Sequence, residues 1–151
     1  MVSKPVRASA PYIAEHPTAL AIYCSDGRFT EPVEELLRAL GHERLDTLTL
    51  PGGPGLLVTG LAQVAENQAV RKATSFLVRG HALTDAVLVA HEGCGFYRAR
   101  MPRETPEAIE RRQLADLRAA SVELLREHPQ LKVRLFVATV RDGYVFFTPI
   151  T

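Results

Sequence analysis

The sequence predicts a single-domain α/β fold: a mostly parallel β-sheet flanked by helices, with an antiparallel edge strand. Three observations predict it. Apolar runs of strand length alternate with stretches of helical period, in the order strand, helix, strand, helix, strand, helix, strand. The run Ala86–Ala90 is apolar throughout, as a strand covered on both faces must be. Asp142-Gly143 then separates two strand-like segments near the end of the chain, a tight hairpin signal. A length of 151 residues fits one such domain.

The elements follow in order. Residues 1–17 hold Pro5, Pro11 and Pro17 and show no period, so they read as an N-terminal arm, with the α/β domain over 18–151. Ala19–Tyr23 is a strand-length apolar run that ends at Cys24-Ser25-Asp26-Gly27-Arg28. Thr30 is placed to cap a helix with Pro32 in its first turn, Val33, Leu36, Leu37 and Leu40 on one face, and Gly41 as its stop. Leu45–Leu50 alternates as a second strand and is broken by Pro51-Gly52-Gly53-Pro54-Gly55. Leu57–Val78 is helical by composition, with Ala69, Ala73, Phe76 and Leu77 sharing a face and Gly80 beyond it. The strand Ala86–Ala90 runs into His91-Glu92-Gly93-Cys94-Gly95. Thr105-Pro106 opens the longest helix, which carries Ile109, Leu114, Leu117, Leu124 and Leu125 and ends before Pro129. Val133–Val140 and Tyr144–Thr148 complete the sheet.

Composition removes several classes of function. Apolar residues are 46% and charged residues 23%, which suits a folded core rather than a disordered chain. A net charge of +1 gives no bulk field for nucleic acid or an anionic membrane, so neither is expected as a partner. No apolar run reaches the roughly 20 residues of a membrane helix. Residues 1–17 lack the continuous apolar stretch of a secretory signal. Two distant cysteines without an export signal predict reduced thiols and a cytoplasmic setting.

Chemistry concentrates at two strand ends. In an open α/β sheet ligands gather outside the carboxyl ends of the strands. Cys24 ends the first strand, and His91 and Cys94 follow the third, so the three side chains can converge. Two thiolates and one imidazole make a three-ligand zinc set with one open position, the arrangement of a catalytic site. The sulfur-rich set favours zinc over magnesium or calcium. An extended backbone would send Cys24, Asp26 and Arg28 to one side. Arg28 would then hold Asp26 ionised beside the metal. Gly52 and Gly53 are candidates for a backbone anion nest in contact with substrate, although a plain turn serves as well. His16, His42, His81 and His128 fall at segment ends and read as solvated. Arg98, Arg100, Arg103, Arg111 and Arg112 read as a solvated face partnered by Glu104, Glu107 and Glu110.

The ordered pair Cys24-Ser25-Asp26-Gly27-Arg28 and His91-Glu92-Gly93-Cys94-Gly95 resembles the β-carbonic anhydrases, whose signature is C-x-D-x-R followed by H-x-x-C. The resemblance implies one Zn2+ per chain held by Cys24, His91 and Cys94, with an Asp26–Arg28 catalytic dyad. It implies reversible hydration of carbon dioxide to bicarbonate through a zinc-bound hydroxide, with Phe29 or residues of a partner subunit beside the carbon dioxide. A homodimer or higher homo-oligomer is implied too. Leu50-Pro51-Gly52-Gly53-Pro54 departs from the Arg-x-Ala-Gly type segment usual in the family. Two alternatives therefore stand beside hydration. One is a carbonyl sulfide or carbon disulfide hydrolase on the same scaffold, and the other is a non-catalytic zinc-binding relative.

Overall fold

Strand β1, Ala19–Tyr23, is buried at every position because it lies inside a sheet with a neighbour on each side. The computed structural model describes residues 4–151. The other strands are β2 (Asp46–Thr49), β3 (Asp85–His91), β4 (Lys132–Arg141) and β5 (Tyr144–Ile150). They form one five-stranded sheet in the order β2-β1-β3-β4-β5. All pairings are parallel except the last, β4 with β5. The hairpin joining these two turns at Asp142 and Gly143, both at positive φ (51° and 79°), as a tight two-residue turn requires. Pro149 is tolerated because β5 is the edge.

Alternation along each strand assigns its side chains to two cores. Leu20, Ile22 and Leu88 face one side, where they meet Val70 and Val78 of helix α2 (Val64–Gly80) and Leu117, Ala120 and Leu124 of helix α4 (Pro106–Glu127). Ala21, Tyr23, Val87 and Val89 face the other, under Val33 and Leu37 of helix α1 (Thr30–Ala39). A fourth helix, α3 (Gly95–Arg100), follows β3 directly. Helices on both faces leave the carboxyl ends of β1 and β3 side by side, with Tyr23 paired to Val89.

Several expectations need correction. The helix expected over Leu57–Val78 begins at Val64, because Gly53–Leu57 winds as a separate 3-10 turn behind Gly52 at φ 92°. Its buried face is Asn67, Val70, Thr74 and Val78, while Phe76 is 72% exposed and Ala69 is also exposed. Asn67 and Thr74 can be buried because each donates to a backbone carbonyl, Leu56 and Val70 respectively, at 2.8 Å. Thr30 is the first helical residue rather than the cap, a place taken by Phe29 without a side-chain bond. Thr105 does cap α4, accepting from the Ala108 amide at 3.2 Å.

His128 is not solvated: it is buried after α4, its Nε2 3.1 Å from Ser75 Oγ. His81 bonds Asp46 at 2.5 Å and stacks on His16 at 3.8 Å, and His42 meets Arg134. Arg100 and Arg112 pair with Glu66 and Asp116, not with the neighbouring glutamates. Residues 4–17 carry no helix or strand and are largely exposed, and Arg44 donates to the Glu15 carbonyl at 2.7 Å. No helix among the described residues is long and apolar enough to cross a membrane.

Candidate metal centre

The parallel pairing of β1 and β3 brings together Cys24, just past Tyr23, and His91, the last residue of β3. Cys94 returns to them through Gly93, whose φ of 64° lets the chain turn back sharply after the strand. The two sulfurs lie 4.0 Å apart, and the ligand atoms of Cys24, His91 and Cys94 all lie within 4.8 Å of one another. Both cysteines are free thiols. Tetrahedral coordination with bonds of about 2.3 Å places two sulfurs roughly 3.8 Å apart, close to what is seen. All three residues are buried.

The imidazole is already set for coordination. His91 Nδ1 donates to the Glu92 carbonyl at 2.8 Å, which fixes the tautomer and leaves the lone pair on Nε2. That Nε2 is buried with no hydrogen-bond partner. An orphaned buried nitrogen beside two thiols fits a metal ligand set, because the ion satisfies all three at once. The Phe29 ring packs on the imidazole with centroids 4.3 Å apart.

Backbone amides prepare the sulfurs. Cys24 is held down to about 4, chiefly by the Cys94 thiol, with help from His91 and the Gly52 and Asp26 N–H groups. Cys94 is pushed up by the Cys24 thiolate and by burial, while the Tyr97 and Phe96 N–H groups oppose that. Burial works against charge on His91, yet the Cys24 thiolate and the Glu92 carbonyl raise its pKa overall. The three groups thus shift one another's proton affinities across a single small cluster.

Asp26 and Arg28 come together, though not by an extended backbone. The chain turns after Asp26, with Phe29 N–H donating to the Asp26 carbonyl at 3.0 Å. The Arg28 amide donates to Asp26 Oδ1 at 3.1 Å, so the carboxylate itself organises the turn into α1. The guanidinium then grips both carboxylate oxygens, with Nε 2.9 Å from Oδ1 and Nη2 2.6 Å from Oδ2. This pairing holds Asp26 down to about 2.

Gly52 and Gly53 lie beside Cys24. A side chain at Gly53 would stand 2.8 Å from the Cys24 nitrogen, and one at Gly52 would enter the Phe96 ring. The Gly53 N–H donates to the Leu50 carbonyl at 2.9 Å. Sequence reasoning missed the part played by Glu92, whose carbonyl orients His91 and whose carboxylate accepts from the Val140 amide. Its place inside His91–Cys94 was the available signal.

No protein-family model matches the sequence, and no curated protein matches it by sequence. Solved structures do match by shape. A β-carbonic anhydrase of the fungal pathogen Aspergillus fumigatus superposes with a TM-score of 0.57 at 18% identity, covering 89% of this chain and 76% of that one. A tetrameric β-carbonic anhydrase from Sordaria macrospora gives 0.57 at 15% identity, covering 91% and 84%. β-Carbonic anhydrase isoform I of Trichomonas vaginalis gives 0.53 at 18% identity, covering 93% and 87%. With three potential metal ligands converging at the carboxyl ends of β1 and β3, the chain is built on the β-carbonic anhydrase fold.

Proposed function

We propose that this chain is a zinc enzyme that reversibly hydrates carbon dioxide to bicarbonate. The observation that carries the reading is His91 Nε2, buried, unpartnered and set beside two free thiols 4.0 Å apart. Cys24, His91 and Cys94 would hold one Zn2+, which when bound supplies a Lewis acid that makes water nucleophilic near neutral pH.

The chain's own residues do the rest. Arg28 keeps Asp26 ionised and fixes the direction of its free lone pairs. Asp26 accepts a hydrogen bond from the attacking water and so orients it toward the carbon. The Phe29 ring supplies apolar surface for an uncharged substrate next to His91. Gly52 and Gly53 form a wall beside Cys24. The Gly53 N–H is engaged by the Leu50 carbonyl, so Gly53 would meet substrate by shape rather than by donation.

We further place the protein in a reducing compartment such as the cytoplasm, where both cysteines stay available as thiols. We also propose at least a homodimer. Val64, Phe76, Tyr144 and Phe146 are large apolar side chains at least half exposed on α2 and β5.

Stopped-flow hydration of carbon dioxide by zinc-loaded protein tests the reading. Turnover that disappears on zinc removal and returns on reloading is expected. Zinc-loaded protein without hydration activity would reject it, and consumption of carbonyl sulfide by the same sample would then select the sulfur substrate.

A further inference from the structure

Cys94 stands just before α3, a helix of only six residues, too short to hold its place by its own hydrogen bonds. Cys94 is the N-cap of α3, and its carbonyl accepts from the Arg98 amide at 3.1 Å, so it goes where α3 goes. Tyr97 is 1% exposed and is the largest side chain buried to that degree. Its hydroxyl donates to Asp116 Oδ2 at 3.0 Å, reaching across to the middle of α4. Asp116 is itself buried, and its other oxygen accepts from Arg112 Nε at 2.8 Å, one turn earlier.

Two glycines make room for this chain of contacts. A side chain at Gly55 would lie 2.2 Å from the Tyr97 hydroxyl, and one at Gly60 would lie 2.5 Å from Arg112 Nη2. Tyr97, Cys24, Cys94 and Ile109 pack in one small apolar cluster. A buried carboxylate is costly unless it is paired and hydrogen-bonded, and here it is both. A phenylalanine at 97 would fill the same apolar space without needing Asp116 at all. The polar link therefore calls for a role beyond packing.

We propose that Tyr97, Asp116 and Arg112 form a positioning relay that fixes α3 against α4 and so sets where the Cys94 sulfur stands relative to Cys24 and His91. The metal-binding part of this inference rests on the zinc reading above, while the placement of Cys94 does not. Groups that hold a ligand in place typically change metal affinity 10–100-fold when removed. None of the three residues touches substrate, so they are positioning residues.

Two readouts separate the relay from a merely structural contact. The first is zinc affinity by chelator competition on full-length protein, with the cobalt-substituted spectrum recorded alongside. The second is the alkylation rate of Cys94 in metal-free protein, read by mass spectrometry. Tyr97→Phe and Asp116→Asn are expected to bind one zinc about 10-fold more weakly, to shift the thiolate-to-cobalt band, and to alkylate Cys94 about 10-fold faster. Val33→Ala, a core truncation under α1 on the opposite sheet face, is expected to lower stability and change neither readout. If Asp116→Asn does not fold, the exposed half of the relay, Arg112→Gln, carries the same expectation at smaller amplitude.

Wild-type affinity, spectrum and alkylation rate in Tyr97→Phe, with only a lowered melting temperature, would overturn the proposal. Wild-type protein that takes up no zinc would instead overturn the zinc reading, and the alkylation rates would still decide the relay.

Discussion

Arg28 holds Asp26 through a short ring of contacts: Nη2 stands 2.6 Å from Oδ2, Nε 2.9 Å from Oδ1, and the Arg28 amide 3.1 Å from Oδ1. The Arg28 side chain is 79% exposed and that of Asp26 only 21%. The pair is therefore anchored from the carboxylate side, with the arginine closing over it from solvent. An exposed ion pair of this kind adds little to stability. Its consequence is orientation: the carboxylate cannot rotate freely or swing toward a neighbouring cation.

Arg28→Ala is expected to release that carboxylate, leaving zinc content near wild type while hydration falls about 100-fold or more. The freed Asp26 competes for the metal's open position, so azide should no longer bind there. Asp26→Asn should also keep zinc and lose rate, yet still bind azide, because a neutral amide is a poor zinc ligand. Zinc content, stopped-flow rates and azide titration of the two variants check this. Wild-type hydration in Arg28→Ala would reduce the dyad to a turn-forming contact.

Gly53→Ala should cost about 2–4 kcal/mol in urea unfolding, since a methyl 2.8 Å from the Cys24 nitrogen meets backbone that cannot yield cheaply. The positive φ of 49° adds to that strain. Gly27→Ala, with nothing within 4 Å of the added methyl, should change stability by no more than about 0.5 kcal/mol. Equal effects at the two positions would contradict the packing described for the 52–53 segment.

His128 gives a pH dependence with a definite sign. Burial, with Arg79 nearby, lowers its pKa from the ordinary histidine value. The unfolded chain therefore binds its proton more readily, and stability rises with pH through that range. The His128 contribution is fully present above about 6.5 and is lost as pH falls through 6.5 toward the lower folded value. Urea midpoints at pH 7.5 and 5.5 should drop more for wild type than for His128→Gln. Parallel drops would show that His128 does not titrate with folding.

Light scattering at micromolar concentration should find at least a dimer. Phe76→Glu, a change at a residue 72% exposed, should shift the distribution toward monomer without unfolding the chain if α2 forms the contact. A wild-type monomer would remove the homo-oligomer from the proposal.

What could be seen in the sequence followed burial and chain-local spacing. β1 and β3 were visible because both faces of each are covered, which leaves uninterrupted apolar runs. Cys24, His91 and Cys94 were visible because they stand at the ends of those runs, where parallel pairing must bring them together. The buried face of α2 was misread because two of its four core positions, Asn67 and Thr74, are polar and settle their hydrogen bonds on backbone carbonyls. α3 left no trace because six residues are too few for a helical period. The link from Tyr97 to Asp116 spans two helices, and no local pattern announces it. The turn at Asp26 was hidden for the opposite reason: a bond between neighbours overrode the extended geometry that spacing alone favours.

Zinc K-edge absorption on protein loaded with one equivalent of zinc puts the ligand set itself under test. Two sulfurs at about 2.3 Å and one imidazole nitrogen at about 2.0–2.1 Å should surround the ion, with one lighter ligand in the remaining position. Cys94→Ala should lose one of the sulfurs and most of the bound metal. A chain that takes up no zinc, or a sulfur count unchanged by Cys94→Ala, would contradict the assignment of Cys24, His91 and Cys94.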